Sequence, residues 1–273
     1  MGKLALAIND LSCYSKSSLT VVMPVMEAMG IETAVLPTSL LSTQTDGFEE
    51  PYSFDLSSEM DAIYSRFMSL GIGFDGVYSG YLGNPRQIDI VKAVIKDQKA
   101  LTLVDPVLGD GGSLYQTVTD EIASGMSELV RLSDVTTPNL TEARVITGRD
   151  PGGEASISEI EAIISDILSL GVPKGVVTSC MPGMNTAFDK DRILMIPFEE
   201  EGSGYPGTGD LFASVLLASL LNGEDIFRSA ERATRIATRA VKATLGERRE
   251  RRRGIDVGKA IGAIIDESAY SCL

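Results

Sequence analysis

Residues 85–112, PRQIDIVKAVIKDQKALTLVDPVLGDGG, contain the repeating unit of the whole chain. From Pro85 to Lys99 the apolar residues recur at helical period, and residues 100–104 then form a short, mainly apolar run of the kind that fills a buried strand. Asp105 leaves that strand, followed by a second carboxylate, Asp110, and by glycines at 109, 111 and 112. Helix, buried strand and glycine-rich exit loop form the unit of an α/β sheet whose loops carry function at the carboxyl ends of the strands. Outward from it the pattern repeats. Strands are predicted at 4–8, 33–36, 76–78, 135–137, 175–178 and 193–196, and helices at 58–70, 119–132 and 156–170. After residue 196 three helical stretches follow, 210–221, 225–244 and 255–267. The expected architecture is a mainly parallel central sheet with helices on both faces, in one domain spanning 1–273. Loops rich in Gly, Ser, Thr and Gln are expected at 38–52 and 108–116.

Composition narrows the chemistry. Of 273 residues, 44% are hydrophobic and 23% charged, enough for a sizeable core. Lys+Arg 24 against Asp+Glu 38 gives a net charge of −14, which repels phosphate backbones and anionic lipids, so neither nucleic acid nor membrane is an expected partner. The chain has no histidine, which removes every Ser-His, Cys-His and imidazole-metal mechanism. Cys13, Cys180 and Cys272 are few and far apart, unsuited to a disulfide framework, and the opening run MGKLALAINDLS reads as a strand and not as a signal sequence. A soluble, cytoplasmic protein is expected. Residues 71–76, GIGFDG, match a dinucleotide fingerprint letter for letter, but a helix precedes them and a strand follows, the reverse of what that motif requires.

The stretch 204–213, GYPGTGDLFA, carries the strongest chemical signal. Its glycines allow a sharp turn with bare amides, and a helix starts at once, so Gly207, Thr208 and Gly209 form an anion hole at the helix's positive end. Asp210 has two readings: a helix cap, or a carboxylate that takes the proton of an attacking hydroxyl. Asp105 and Asp110 suit hydrated magnesium beside a loop over polyphosphate. Asn139 and Glu142, three apart in TPNLTE, share a face at a helix start; alone they also read as a cap with an acidic first turn. Taken together, three strand ends of one sheet describe a site for Mg2+ and a nucleoside triphosphate.

The order of SGYLG (79–83), DPVLGD (105–110), TPNLTE (137–142), the VTS strand end (177–179) and GTGD (207–210) resembles the pyridoxal kinase branch of the ribokinase-like superfamily, from Leu4 to about Ala243. The resemblance implies an ATP-dependent kinase of the 5′-hydroxymethyl of pyridoxal, pyridoxine or pyridoxamine, with a ribokinase-like fold and a homodimeric assembly. It implies that Asp210 is the base, that Asp105 and Asp110 lie near metal and phosphates, and that Asn139 and Glu142 organise magnesium through water. Thr178 and Ser179 become nucleotide-phosphate contacts, Thr137 lies near a K+ site, and Tyr81 packs on the ring. In the segment Ser42-Thr43-Gln44-Thr45, Gln44 replaces a histidine of better-known members and Thr45 stays beside the ring. At the first strand end, Asp10 stands at a substrate-contacting serine, with Leu11 at a histidine and Ser12 following. An acidic residue there suits a protonated ring nitrogen or the amine of pyridoxamine. These departures keep two alternatives open, a hydroxymethylpyrimidine or small sugar-alcohol kinase and a non-catalytic B6 or ATP sensor, although pyrimidine kinases of the superfamily commonly carry GTGC. Residues 247–253, with five Arg and two Glu, are expected to be a solvated connection, and Glu199 to Gly202 an exposed acidic turn.

Overall fold

The computed structural model describes residues 2–200 and 204–270; Glu201, Gly202 and Cys272 of the readings above lie outside them. The elements, in chain order, are β1 (Lys3–Tyr14), α1 (Leu19–Ala28), β2 (Ile31–Thr43), β3 (Ser53–Asp55), α2 (Ser57–Ser69), β4 (Gly76–Ser79), α3 (Pro85–Asp97), β5 (Leu101–Val104), β6 (Gly109–Asp110), β7 (Ser113–Leu114), α4 (Asp120–Val130), β8 (Val135–Thr136), α5 (Leu140–Ile146), α6 (Ile157–Ser169), β9 (Lys174–Met181), β10 (Met184–Asp189), β11 (Ile193–Pro197), α7 (Thr208–Leu221), α8 (Ile226–Gly246) and α9 (Val257–Tyr270). The main sheet runs β11-β10-β9-β8-β5-β4-β1-β2-β3. From β9 to β2 every pairing is parallel, and antiparallel strands close both margins. This is the expected α/β, ribokinase-like architecture.

Each face of the sheet buries its own core. Along β1, Ala5 and Ala7 point toward α1, α7, α8 and α9, while Leu6 and Ile8 point toward α2, α3 and α4, as the two-residue period of a strand demands. α7 is apolar almost all round, with Leu211 to Leu220 buried between the sheet, α1 and α8. The small residues on the β1 side let this helix lie close to the sheet centre, which brings its first turn to the ends of β1, β4 and β5.

Several boundaries differ from the sequence reading. β1 runs to Tyr14 and β2 to Thr43, six and seven residues beyond the expected ends at 8 and 36, with a register shift between Asn9 and Leu11. Much of the expected 38–52 loop is therefore strand. Pro37 is tolerated because β3 pairs only from Ser39 to Leu41, leaving β2 an edge at Pro37. Within 108–116, β6 and β7 form a small hairpin. Residues 71–76 connect α2 to β4, with no helix after them to receive a dinucleotide.

Candidate active site

A cavity of about 600 Å³ opens at the carboxyl ends of the parallel strands. Asp10, Ser12, Gln44, Thr45, Tyr81 and Asp105 line one part of it. Asp110, Thr137, Asn139, Glu142, Thr178, Ser179 and the turn Gly207-Thr208-Gly209-Asp210 line the rest. The fold thus brings these candidate catalytic, metal, nucleotide and substrate residues to one cavity.

Asp210 is not the cap of α7. Gly207 holds that position at φ 86°, and a Cβ there would stand 2.6 Å from the Lys16 carbonyl, so the turn requires glycine. The Thr208 hydroxyl folds back onto the Tyr205 carbonyl at 2.7 Å. Asp210 lies within the first helical turn, and its side chain accepts from three donors: Asn9 Nδ2 (3.1 Å), the Tyr78 hydroxyl (3.3 Å) and the Ser18 amide (2.7 Å). Burial pushes its carboxyl above the ordinary range, an effect these hydrogen bonds oppose. Asn9 is fixed in turn, its Oδ1 accepting from the amides of Asp10 (3.0 Å) and Tyr81 (2.9 Å). Gly80 makes room for it, since a Cβ there would lie 2.3 Å from Asn9 Nδ2.

Three further buried carboxylates line the same cavity. Asp105 accepts from Thr137 (3.1 Å) and from the Tyr78 hydroxyl (3.3 Å), so one tyrosine bridges Asp105 and Asp210. Burial and then the neighbouring Asp210 raise the Asp105 carboxyl, and burial with both carboxylates raises the Tyr78 phenol. Asp10 accepts from Ser18 Oγ (2.5 Å) and Ser12 Oγ (3.0 Å); burial pushes it up to about 6, with Ser18 opposing and Asp210 adding to the rise. Glu142 is held by a capping box: Asn139 Oδ1 accepts from the Glu142 amide (3.0 Å), and Glu142 accepts from the amides of Asn139 (2.8 Å) and Leu108 (3.1 Å). Burial followed by Asp105 raises it well above the usual carboxylate range. Asn139 Nδ2 also donates to the Gly109 carbonyl (2.8 Å), tying the β6–β7 hairpin to α5.

Among the described residues no group of three or more Asp, Glu, Cys or His side chains is arranged to hold a metal ion. The donors present fit a magnesium ion that arrives with phosphate oxygens and water. Asp110 is exposed on the hairpin, and Asp105 faces the cavity from the end of β5. Thr178 donates its amide to the Pro138 carbonyl (2.8 Å), and the Ser179 amide donates to Asn185 Oδ1 (2.8 Å), which sets both at the cavity edge.

The arginine-rich segment is the largely exposed connection between α8 and α9 that the sequence suggested, and it is also tied to the cavity loops. Arg253 accepts the Lys16 amide (3.0 Å), and Arg252 accepts Gln44 Nε2 (3.1 Å) through its carbonyl. Arg251 pairs with Asp46 (2.5 Å) and donates to the Gly204 carbonyl (2.9 Å). The Ile255 amide reaches the Pro206 carbonyl (2.9 Å). Three cavity loops are therefore clipped to one segment. Gln44, buried, spends its amide on Arg252 and on the backbone of Asp46. Sequence reasoning missed Ser18, Tyr78 and Arg251. Ser18 lies outside every predicted element and Tyr78 inside the predicted strand 76–78, and only the topology brings them to Asp210.

A family model for phosphomethylpyrimidine kinase matches residues 23–253. The chain belongs to that family. Among solved structures, this phosphomethylpyrimidine kinase family member is similar to a Bacteroides thetaiotaomicron protein assigned as a phosphomethylpyrimidine kinase, 34% identical, with a TM-score of 0.91 over 95% of this chain and 93% of that one. A second crystal form of that protein contains pyridoxal, with 33% identity and a TM-score of 0.90 over 97% and 96% of the two chains. Pyridoxal kinase from Lactobacillus plantarum is 29% identical, with a TM-score of 0.91 over 98% of each chain. Among curated proteins, pyridoxal kinase PdxY of Paraburkholderia phymatum is 28% identical over 239 residues, 80% of each chain. Fold and family together make this an ATP-dependent small-molecule kinase of the ribokinase-like superfamily, related to both branches. The family match itself favours the pyrimidine alternative over the pyridoxal reading of the sequence. No helix among the described residues is long and apolar enough to cross a membrane.

Proposed function

We propose that the protein transfers the γ-phosphoryl group of ATP to the hydroxymethyl group of a B6 vitamer, with Asp210 as the general base. The observation that carries this reading is the placement of Asp210: a cavity-facing carboxylate in the first turn of α7, beside the glycine turn, oriented by Asn9, Tyr78 and the Ser18 amide. A burial-raised carboxyl is a better base toward an alcohol than a solvated one, and the hydroxyl proton passes to its oxygen as the new O–P bond forms and the bond to ADP breaks. The Thr208 amide donates to the Tyr205 carbonyl (3.1 Å), so the Gly207 and Gly209 amides and the positive end of α7 are what favour the charge on the transferring group. Asp105 and Asp110 would hold magnesium, with Asn139 and Glu142 acting through water, and the ion would neutralise charge on the phosphates. Thr178 and Ser179 line the phosphate side; Tyr81, Thr45 and Ser12 line the ring side. Thr137, the expected neighbour of K+, gives its hydroxyl to Asp105, and no step depends on that ion.

Pyridoxal kinases among the relatives, and the pyridoxal bound to the Bacteroides protein, support the vitamer as acceptor. The second reading, hydroxymethylpyrimidine, is favoured by the family model. An ADP-release assay with magnesium and a panel of three vitamers, hydroxymethylpyrimidine and ribose tests the choice. The first reading expects kcat/KM highest for a vitamer. Preference for the pyrimidine establishes the second, and the absence of turnover with every acceptor refutes both.

A further inference from the structure

Ser18 is buried at the start of α1 with φ 51° and ψ −133°, a left-handed conformation that a residue with a Cβ rarely adopts. Its two polar groups point at two different carboxylates. The hydroxyl donates to Asp10 Oδ1 at 2.5 Å, and the amide donates to Asp210 Oδ2 at 2.7 Å. Turning the backbone to a relaxed conformation would break both bonds, so the strained conformation and the bridge are one feature. Asp10 itself is 4% exposed and faces the cavity. Its side-chain partners are the hydroxyls of Ser18 and Ser12 and its own backbone amide, and no Lys or Arg among the described residues pairs with it. A buried carboxylate with no cationic partner, at the wall of a substrate cavity, is completed by a cation on the ligand.

We propose that Ser18 is a positioning residue that couples Asp10 to the base Asp210, so that a positive charge on the acceptor, bound at Asp10, also aligns the base. The inference rests on the acceptor reading above and adds to it the class of acceptor, one that carries an amine. Asp10 reads the charge. Ser18 transmits its position, because the hydroxyl that holds Asp10 and the amide that holds Asp210 belong to one residue with its backbone fixed at φ 51°.

The test is a double-mutant cycle in steady-state kinetics, with pyridoxamine and pyridoxine as acceptors that differ by an amine against a hydroxyl. Wild type, Ser18→Ala, Asp10→Asn and the double variant are compared, with thermal melting as a control for folding. Asp10→Asn is expected to raise KM for pyridoxamine by about tenfold more than for pyridoxine. Ser18→Ala keeps the amide and loses the hydroxyl; it is expected to lower kcat by about tenfold and to shrink the pyridoxamine preference, with the double variant no worse than the poorer single one. Should Ser18→Ala fail to fold, Ser18→Gly, which accepts the same φ without strain, gives the same readout. Equal effects on both acceptors, or losses that multiply fully in the double variant, overturn the coupling. If the wild type phosphorylates neither vitamer but does phosphorylate hydroxymethylpyrimidine, the acceptor reading fails, and the same four-variant cycle on that acceptor supports or overturns the coupling by its non-additivity.

Discussion

Replacing Asp210 by Asn removes the proton acceptor and leaves nearly the same shape. Two oxygens now serve three donors: Oδ1 faces Asn9 Nδ2 and the Tyr78 hydroxyl, and Oδ2 faces the Ser18 amide. An asparagine must turn its NH2 toward one side or the other. Toward Ser18 it meets a backbone N–H, and toward Asn9 it meets another NH2 that cannot flip, because Asn9 Oδ1 is committed to the amides of Asp10 and Tyr81. One donor–donor conflict costs about 1–3 kcal/mol, and loss of a charge that burial disfavours opposes that cost. With about 2–4 °C per kcal/mol for a chain of this size, Tm is expected to fall by less than about 10 °C. Activity is expected to fall far more, by on the order of 10²–10⁴ in kcat, with little change in KM for ATP. Coupled ADP release at saturating acceptor, alongside calorimetry, reads both. A variant that keeps kcat within about threefold of wild type would refute Asp210 as the base.

Asp10→Asn tests the burial of the acceptor-side carboxylate through stability. Because the folded protein holds that proton up to about 6 against 3.8 in an open chain, Asp10 makes stability fall as pH rises from about 4 to 6, with no further loss above. The asparagine variant is expected to be more stable at pH 8, by up to about 3 kcal/mol, with the advantage vanishing near pH 4; urea melts with no gain at pH 8 would contradict this. Gly80→Ala puts a methyl 2.3 Å from Asn9 Nδ2, and a loss of about 1–3 kcal/mol together with a lower kcat is expected, whereas a variant with wild-type kcat would show that Asn9 does not orient the base. Arg251→Ala frees the Asp46 loop and the Gly204 carbonyl, so KM for the acceptor should rise by roughly 2–10-fold while kcat changes less. The charge-reversed pair Asp46→Arg with Arg251→Asp should recover part of that loss, and no change in KM in the single variant would mean that the clip is purely structural.

Most of the fold was legible because helical and strand periods alternate cleanly around 85–112, and one strand-end motif after another fell where a parallel sheet puts its loops. The candidate residues gathered for the same reason. Other features depend on tertiary context. The strand character of 38–43 comes from its pairing with β1 and β3, not from its Thr- and Ser-rich composition. β10 was missed because Asn185, Thr186 and Asp189 dilute its apolar run, though its alternate residues pack on both faces of the sheet margin. Asn139 and Glu142 form a capping box within the wall of the cavity, the cap that their spacing offered. Ser18 gave no signal at all, since the helix that follows it, α1, was not predicted and its φ of 51° appears only when the chain is folded. The arginine run looked solvated because its charges are exposed, while its backbone carbonyls and Arg251 do the docking.

The most direct measurement follows the phosphoryl group itself. Wild type and Asp210→Asn are incubated with magnesium, ATP carrying 18O in its γ-phosphoryl oxygens, and either pyridoxamine or hydroxymethylpyrimidine, and products are read by mass spectrometry. The account predicts one labelled phosphate ester on the acceptor's hydroxymethyl group for each ADP formed by the wild type, and a loss of at least about a hundredfold in that product for the variant. ADP formed without a phosphorylated acceptor, or labelled ester formed equally fast by both proteins, would contradict it.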